Sequence, residues 1–150
     1  MREPISRLRS VDAVVAHGAA PVKGYAMKLE GDSVHRMTDA SDRKPARFFE
    51  GVKVHAVAGI GDPNRFFLHL TRLGFKIMPH PFPDHHAFAA KDLEFAGDAP
   101  VLMTEKDAVK LRRAARPNWW VLPVTAQLEP AFGEWLSGRL DGFRRRSKAA

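Results

Sequence analysis

From Val52 onward, short apolar β-branched runs alternate with stretches whose apolar residues recur at helical spacing, and this alternation constrains the fold more than any other feature of the chain. Val52 to Ile60 reads as a buried strand. Asp62-Pro63 then supplies an N-cap with proline at the first helical position, and Phe66, Phe67, Leu70 and Leu73 share the face of a helix that Gly74 stops. Phe75 to Met78 is the next strand, followed by a short helix around Ala90 to Phe95. The strand Pro100 to Met103 leads into a helix that Thr104 caps and that runs through about Arg113. Trp119 to Val124 is a last strand, and Pro130 to Leu140 a last helix with Phe132, Trp135, Leu136 and Leu140 at helical spacing. Four strand-then-helix units in succession predict an α/β fold, a small parallel sheet with flanking helices.

The first 45 residues differ in character. Val11 to Ala16 is a short buried-strand run broken by Gly18 to Pro21. Tyr25, Met27 and Leu29 alternate with Ala26, Lys28 and Glu30, and after Gly31-Asp32-Ser33 the pattern resumes at Val34 and Met37, which predicts a hairpin. Ser41 to Pro45 is polar and reads as a linker, while beyond Leu140 no apolar period continues and the end of the chain reads as a frayed basic tail.

No run of eighteen apolar residues is present, and Arg2, Arg7 and Arg9 precede no apolar h-region, so neither a membrane span nor a signal peptide is expected. The absence of cysteine removes disulfides, thiolate metal sites and cysteine nucleophiles. A formal charge of +7 points to an anionic partner: nucleic acid, an anionic membrane surface or a phosphorylated substrate. The basic residues cluster at Arg2, Arg7 and Arg9, at Arg112, Arg113 and Arg116, and at Arg144, Arg145, Arg146 and Lys148. Phe66, Phe67, Trp119, Trp120 and Trp135 sit in apolar periods that a core would claim, which argues against base stacking on nucleic acid.

Ligands of open parallel sheets bind beyond the carboxyl ends of the strands, which directs attention to three loops. Gly59 and Gly61 precede a helix N-terminus and could bring N–H groups to a phosphate, or simply form a tight turn, since neither a full dinucleotide fingerprint nor a Walker A sequence accompanies them. The segment from His80 to His86 places Asp84, His85 and His86 on a proline-stiffened frame, suited to a positioned acid or base, to metal ligation, or to an exposed turn. In the third loop Thr104 is a cap and Asp107 an imperfect capping-box partner. Lys106 opposes the helix dipole, which suggests an anionic partner or a neighbouring carboxylate.

Three motifs in register, Ala58-Gly59-Ile60-Gly61-Asp62-Pro63-Asn64-Arg65-Phe66-Phe67, His80-Pro81-Phe82-Pro83-Asp84-His85-His86 and Leu102-Met103-Thr104-Glu105-Lys106-Asp107-Ala108-Val109-Lys110, closely resemble the C-terminal domain of the tetraacyldisaccharide 4′-kinase family of lipid A biosynthesis. Arg2-Glu3-Pro4-Ile5-Ser6-Arg7-Leu8 and Val11-Asp12-Ala13-Val14-Val15 resemble the end of the family's N-terminal domain, with His17 where asparagine is expected. The resemblance implies a lipid kinase that uses ATP and Mg²⁺ to phosphorylate the 4′-hydroxyl of a tetraacyl disaccharide 1-phosphate, the lipid A precursor, at the cytoplasmic face of the bacterial inner membrane, where it is peripheral. It further implies residues 1–22 as a remnant of a P-loop domain, 23–45 as a two-stranded β-ribbon linker, 46–142 as a Rossmann-like α/β domain and 143–150 as a disordered basic tail. Asp84 and His85 take the catalytic positions. Gly59, Gly61 and His86 lie beside substrate or phosphate, Lys106 and Asp107 are candidates toward the nucleotide, and no metal ligand is expected.

The departure from the family pattern is large. No G-x-x-x-x-G-K-[ST] and no Walker B carboxylate pair occurs in these residues, nor does the family's membrane-anchoring helix. The expectation is therefore a chain inactive by itself, exposing apolar surface around Val11 to Ala16, and either self-associating or pairing with a separate P-loop subunit. The competing readings are a basic, non-catalytic module that binds anionic lipid or nucleic acid, and a His/Asp metallohydrolase centred on Asp84 to His86.

Overall fold

The computed structural model describes residues 3–18 and 24–148, with side chains to residue 144. Arg2, most of the Gly18 to Pro21 break and the side chains of Arg145, Arg146 and Lys148 lie outside the described residues. The chain divides into two compact units, Met1–Glu30 with Thr125–Ala150, and Gly31–Val124.

In the first unit a 3₁₀ turn over Ile5–Arg9 precedes strand β1 (Val15–His17), which pairs in parallel with β2 (Tyr25–Glu30). The remaining strands in chain order are β3 (Ser33–Arg36), β4 (Arg43–Pro45), β5 (Lys53–Ala58), β6 (Lys76–Pro81), β7 (Val101–Thr104), β8 (Trp119–Leu122) and β9 (Thr125–Leu128). β9 returns to the first unit and pairs antiparallel with β2, Met27 opposite Leu128 and Glu30 opposite Thr125. Helix α3 (Pro130–Lys148) follows; Phe132 and Trp135 pack on Tyr25, with ring centroids 5.2 and 6.0 Å away.

These pairings correct the hairpin reading. β2 and β3 do not pair: β2 lies between β1 and β9, whereas β3 lies between β4 and β8. The antiparallel partner of β2 is β9, within a three-stranded sheet β1-β2-β9 whose other pair is parallel. The helix expected to cover the parallel sheet as a fourth repeat instead packs on Tyr25, and it continues past Leu140 to Lys148, so the frayed end expected from residue 143 is helical over the described part.

The second unit carries the α/β fold. Its six-stranded sheet has the order β4-β3-β8-β7-β5-β6, in which β8, β7, β5 and β6 are mutually parallel while β3 and β4 extend it antiparallel. The central strands are apolar on both faces, as a parallel sheet covered on each side requires. Val54, Ala56, Ala58, Leu102, Trp120 and Leu122 pack toward Phe66, Phe67 and Leu70 of helix α1 (Pro63–Arg72) and toward Phe49 and Phe75. The alternate residues Val57, Val101, Met103, Trp119 and Val121 pack toward Ala108 and Leu111 of helix α2 (Glu105–Leu111) and toward Leu93 and Ala96 of a 3₁₀ helix, Ala90–Ala96. Each large apolar side chain so buried contributes about 1.5–3 kcal/mol. Among the described residues every buried one lies in this unit.

Local signals fix the element ends. Proline opens α1, and Gly74 at φ 92° ends it in the left-handed conformation that glycine adopts without penalty. Asp62 precedes α1 but makes no side-chain cap bond, while Thr104 caps α2 by accepting the Asp107 N–H at 3.2 Å. The strand expected to stop at Met78 runs to Pro81 through two prolines. β6 is an edge strand, and the Phe82 N–H donates to Ala58 O at 2.8 Å. By alternation the nitrogens of Pro79 and Pro81 face away from β5, where no donor is needed.

Candidate active site

The carboxyl ends of β5, β6 and β7 present three loops side by side. Asp84, beyond β6, is the point where they meet. Its Oδ1 accepts the His85 N–H at 3.0 Å and stands 3.6 Å from Lys106 Nζ on the first turn of α2. Its Oδ2 is 3.6 Å from His85 Nε2, and a Cβ on Gly61 would stand 3.5 Å from that same oxygen. The backbone of His85 is held at φ 61°, the left-handed conformation that histidine adopts more readily than most residues with a side chain. The ring is thereby presented to solvent, 77% exposed, with Asp84 and Lys106 about half exposed beside it.

His86 turns the other way. It packs between Phe82 and Phe88, with centroids 4.9 and 4.7 Å away, and its Nε2 lies 3.0 Å from Asp92 Oδ2. Asp92 also accepts the Ala89 N–H at 2.9 Å; that bond, with His86 next, holds its carboxyl below the usual carboxylate range. Of the two adjacent histidines, His85 faces solvent and His86 is held against Asp92.

Asp107 is fully buried. Its Oδ2 accepts the Gly59 N–H at 3.0 Å and the Thr104 hydroxyl at 2.7 Å, and its Oδ1 accepts Lys110 Nζ at 3.1 Å. A carboxylate so engaged ties the β5 loop to the start of α2, and with no solvent exposure it presents nothing to a nucleotide. The Gly59 N–H is committed to it as well, so this glycine offers no donor to a phosphate. Gly59 is needed for close packing instead: a Cβ there would meet the Phe88 ring at 2.8 Å and Asp107 Oδ1 at 3.3 Å.

His80 does not join Asp84. It faces His55 across β5 and β6, with His55 Nδ1 2.9 Å from His80 Nε2, and stacks on Phe95 at 4.0 Å between centroids. Burial pulls both imidazoles below the ordinary histidine range, and His55 lowers His80 further. The sequence reading missed this pair, along with Asp92 and Lys110, because strand register and helix position bring them together. Only Lys110, three residues beyond Asp107 on a helix, left a local signal. Among the described residues no group of three His, Cys, Asp or Glu side chains is placed to hold a metal ion. Of the aromatics that base stacking would need, Phe66, Phe67, Trp119 and Trp120 are buried.

A mixed α/β sheet with flanking helices, whose parallel strands end in loops that bring together an exposed histidine, an aspartate and a lysine, defines the class of this domain. The family model described as tetraacyldisaccharide-1-P 4′-kinase matches residues 1–141, and the chain belongs to that family. It is 48% identical to a tetraacyldisaccharide 4′-kinase of Methylobacillus flagellatus over 141 residues, covering 93% of this chain and 42% of the relative. It is 45% identical to one from Pseudomonas aeruginosa over 143 residues, covering 94% and 43%. Among solved structures it is similar to LpxK from Aquifex aeolicus, crystallised in complex with ATP, with a TM-score of 0.55, 25% identity and coverage of 86% of this chain and 42% of that one. The chain therefore spans about two fifths of the length of the curated relatives it matches.

Proposed function

We propose that this chain is the C-terminal part of a tetraacyldisaccharide 4′-kinase and contributes the acid–base side of the reaction, in which the γ-phosphoryl group of ATP passes to the 4′-hydroxyl of the tetraacyl disaccharide 1-phosphate. The observation that carries this reading is the convergence of Asp84, His85 and Lys106 from two loops of one sheet end. His85 takes the hydroxyl proton as the oxygen attacks, and Asp84, 3.6 Å from its Nε2, orients the ring and stabilises the imidazolium. Lys106, 3.6 Å from Asp84 Oδ1, balances anionic charge at the mouth of the site. His86 and Asp107 hold the two loops in place.

The residues described here do not fit ATP or Mg²⁺. The Gly59 N–H and both oxygens of Asp107 are already engaged, and no group of three His, Cys, Asp or Glu side chains is placed among the described residues to hold a metal ion. In this reading the nucleotide and its metal belong to a P-loop part supplied in cis or in trans, and these 150 residues alone do not transfer phosphate. Exposed Ile5, Leu8, Val11 and Val15 in the first unit favour such a partner over a free surface. Reaction at the cytoplasmic face of the inner membrane, with the chain bound peripherally, follows from the lipid substrate; no described helix is long and apolar enough to cross a membrane.

The test is ATP-dependent phosphorylation of the tetraacyl disaccharide 1-phosphate by this chain alone and mixed with the separately produced P-loop part of a family relative. Activity only in the mixture, reduced by about 10²–10⁴-fold in His85→Ala, is the expected outcome. Full activity of the mixture with His85→Ala would remove the assigned acid–base role.

A further inference from the structure

Away from Asp84, the face of the β5–β6 strand pair carries a second cluster of donor atoms that the reaction does not use. His55 Nδ1 and His80 Nε2 stand 2.9 Å apart, bridged by one shared N–H. Two nitrogens bound at about 2.0–2.1 Å and at right angles to one metal stand about 2.9 Å apart, the separation of this pair, so once the hydrogen bond opens small turns of the two rings suffice to aim both at one ion. Met78 is directly opposite His55 in the register of β5 and β6, and it lies two residues before His80, so all three side chains share one face of the sheet. Met78 is half-buried and belongs to neither apolar cluster of this unit. Phe95 stacks on His80 with a 22° interplanar angle and lies 5.2 Å from His55, fixing both rings. Phe95 is itself 46% exposed, which leaves the cluster open to solvent on that side.

We propose that His55, His80 and Met78 form a copper-binding site. Two imidazoles suit Cu²⁺, and a thioether in addition to them suits the softer Cu⁺. Among divalent first-row ions copper binds such donors most tightly. Entry of the metal moves the shared proton to the remote nitrogen of the same ring, so both lone pairs face the ion and no net proton is released. The bound ion joins β5 to the edge strand β6, the two strands whose carboxyl ends lead into the Gly59 and Asp84 loops. Neutrality of both rings at physiological pH, favoured by their burial, keeps the lone pairs available.

Chelator-treated, tag-free chain is titrated with Cu²⁺ by calorimetry, with electron paramagnetic resonance as a count of bound nitrogens, and with Cu⁺ in competition with a chromophoric chelator. One equivalent of each ion with two nitrogen ligands is expected. Affinity falls by at least about tenfold in His55→Phe and in His80→Phe, whereas Met78→Leu weakens Cu⁺ and spares Cu²⁺. In the unaltered protein, ring resonances of His55 and His80 shift on adding diamagnetic Cu⁺ and those of His17, His35, His69, His85 and His86 do not; this readout holds even where a variant fails to fold. Absence of binding, binding unchanged in His80→Phe, or shifts confined to the other histidines overturns the proposal. None of these outcomes depends on kinase activity.

Discussion

Asp84 and Asp107 are both aspartates within 4 Å of a lysine, and their surroundings give them opposite duties. Asp107 has no solvent exposure and both of its oxygens are engaged, by Gly59, Thr104 and Lys110; Asp84 is 45% exposed and shares its carboxylate between the Lys106 ammonium and the His85 imidazole. A residue of the first kind holds a loop, and one of the second kind stays accessible, as the proposed role of Asp84 requires. The two glycines of the neighbouring loop divide in the same way. Gly59→Ala drives a methyl group into the Phe88 ring and the Asp107 carboxylate and is expected to cost about 1–3 kcal/mol of stability. Gly61→Ala makes ordinary contact with Asp84 and stays within about 0.5 kcal/mol. Urea titration of the two variants reads the difference directly, and equal losses would mean that the Gly59 contact relaxes freely. At this scale the motifs were legible as chemistry and not as geometry. That one of two successive histidines faces solvent while the other faces Asp92 depends on a single positive φ at His85, which no spacing rule announces.

The elements were most legible where the signal is local. The α1 start at Pro63, its end at Gly74 and the Thr104 cap of α2 each rest on a few neighbouring residues, and all three stand where the pattern put them. The hairpin reading failed because Gly31-Asp32-Ser33 is a good turn sequence between alternating runs, while the pairings that occur, β2 with β9 and β3 with β8, join residues far apart in the chain. Alternation identifies a strand but not its neighbour. β6 gives the opposite lesson: prolines that argue against a central strand are compatible with an edge one, and they leave its outer border without two amide donors. Replacing Pro79 and Pro81 together by threonine restores those donors, and sedimentation velocity is expected to show concentration-dependent self-association absent from the parent chain. A variant as monodisperse as the parent would show that the prolines do not guard this edge.

Over the whole molecule, all the buried residues described belong to Gly31–Val124, and the first unit contributes none. Residues 31–124 produced alone are therefore expected to unfold in urea as one cooperative transition with a dispersed amide spectrum, and a collapsed spectrum would show that the core needs its flanking strands. The sequence could not announce this division, because the chain leaves the first unit at Glu30 and rejoins it at Thr125, splitting one unit into two segments that only the fold reunites. Those two residues are register partners in the β2–β9 ribbon, so the α/β unit begins and ends at neighbouring points. Such an arrangement is that of a cassette inserted into a host: a short turn joining Glu30 to Thr125 would close the ribbon as a hairpin and excise the cassette, and a different α/β body with adjacent termini could be set in its place. Variation of the loops that carry Asp84, His85 and Lys106 could then proceed by exchange of one contiguous segment while the first unit stays as it is.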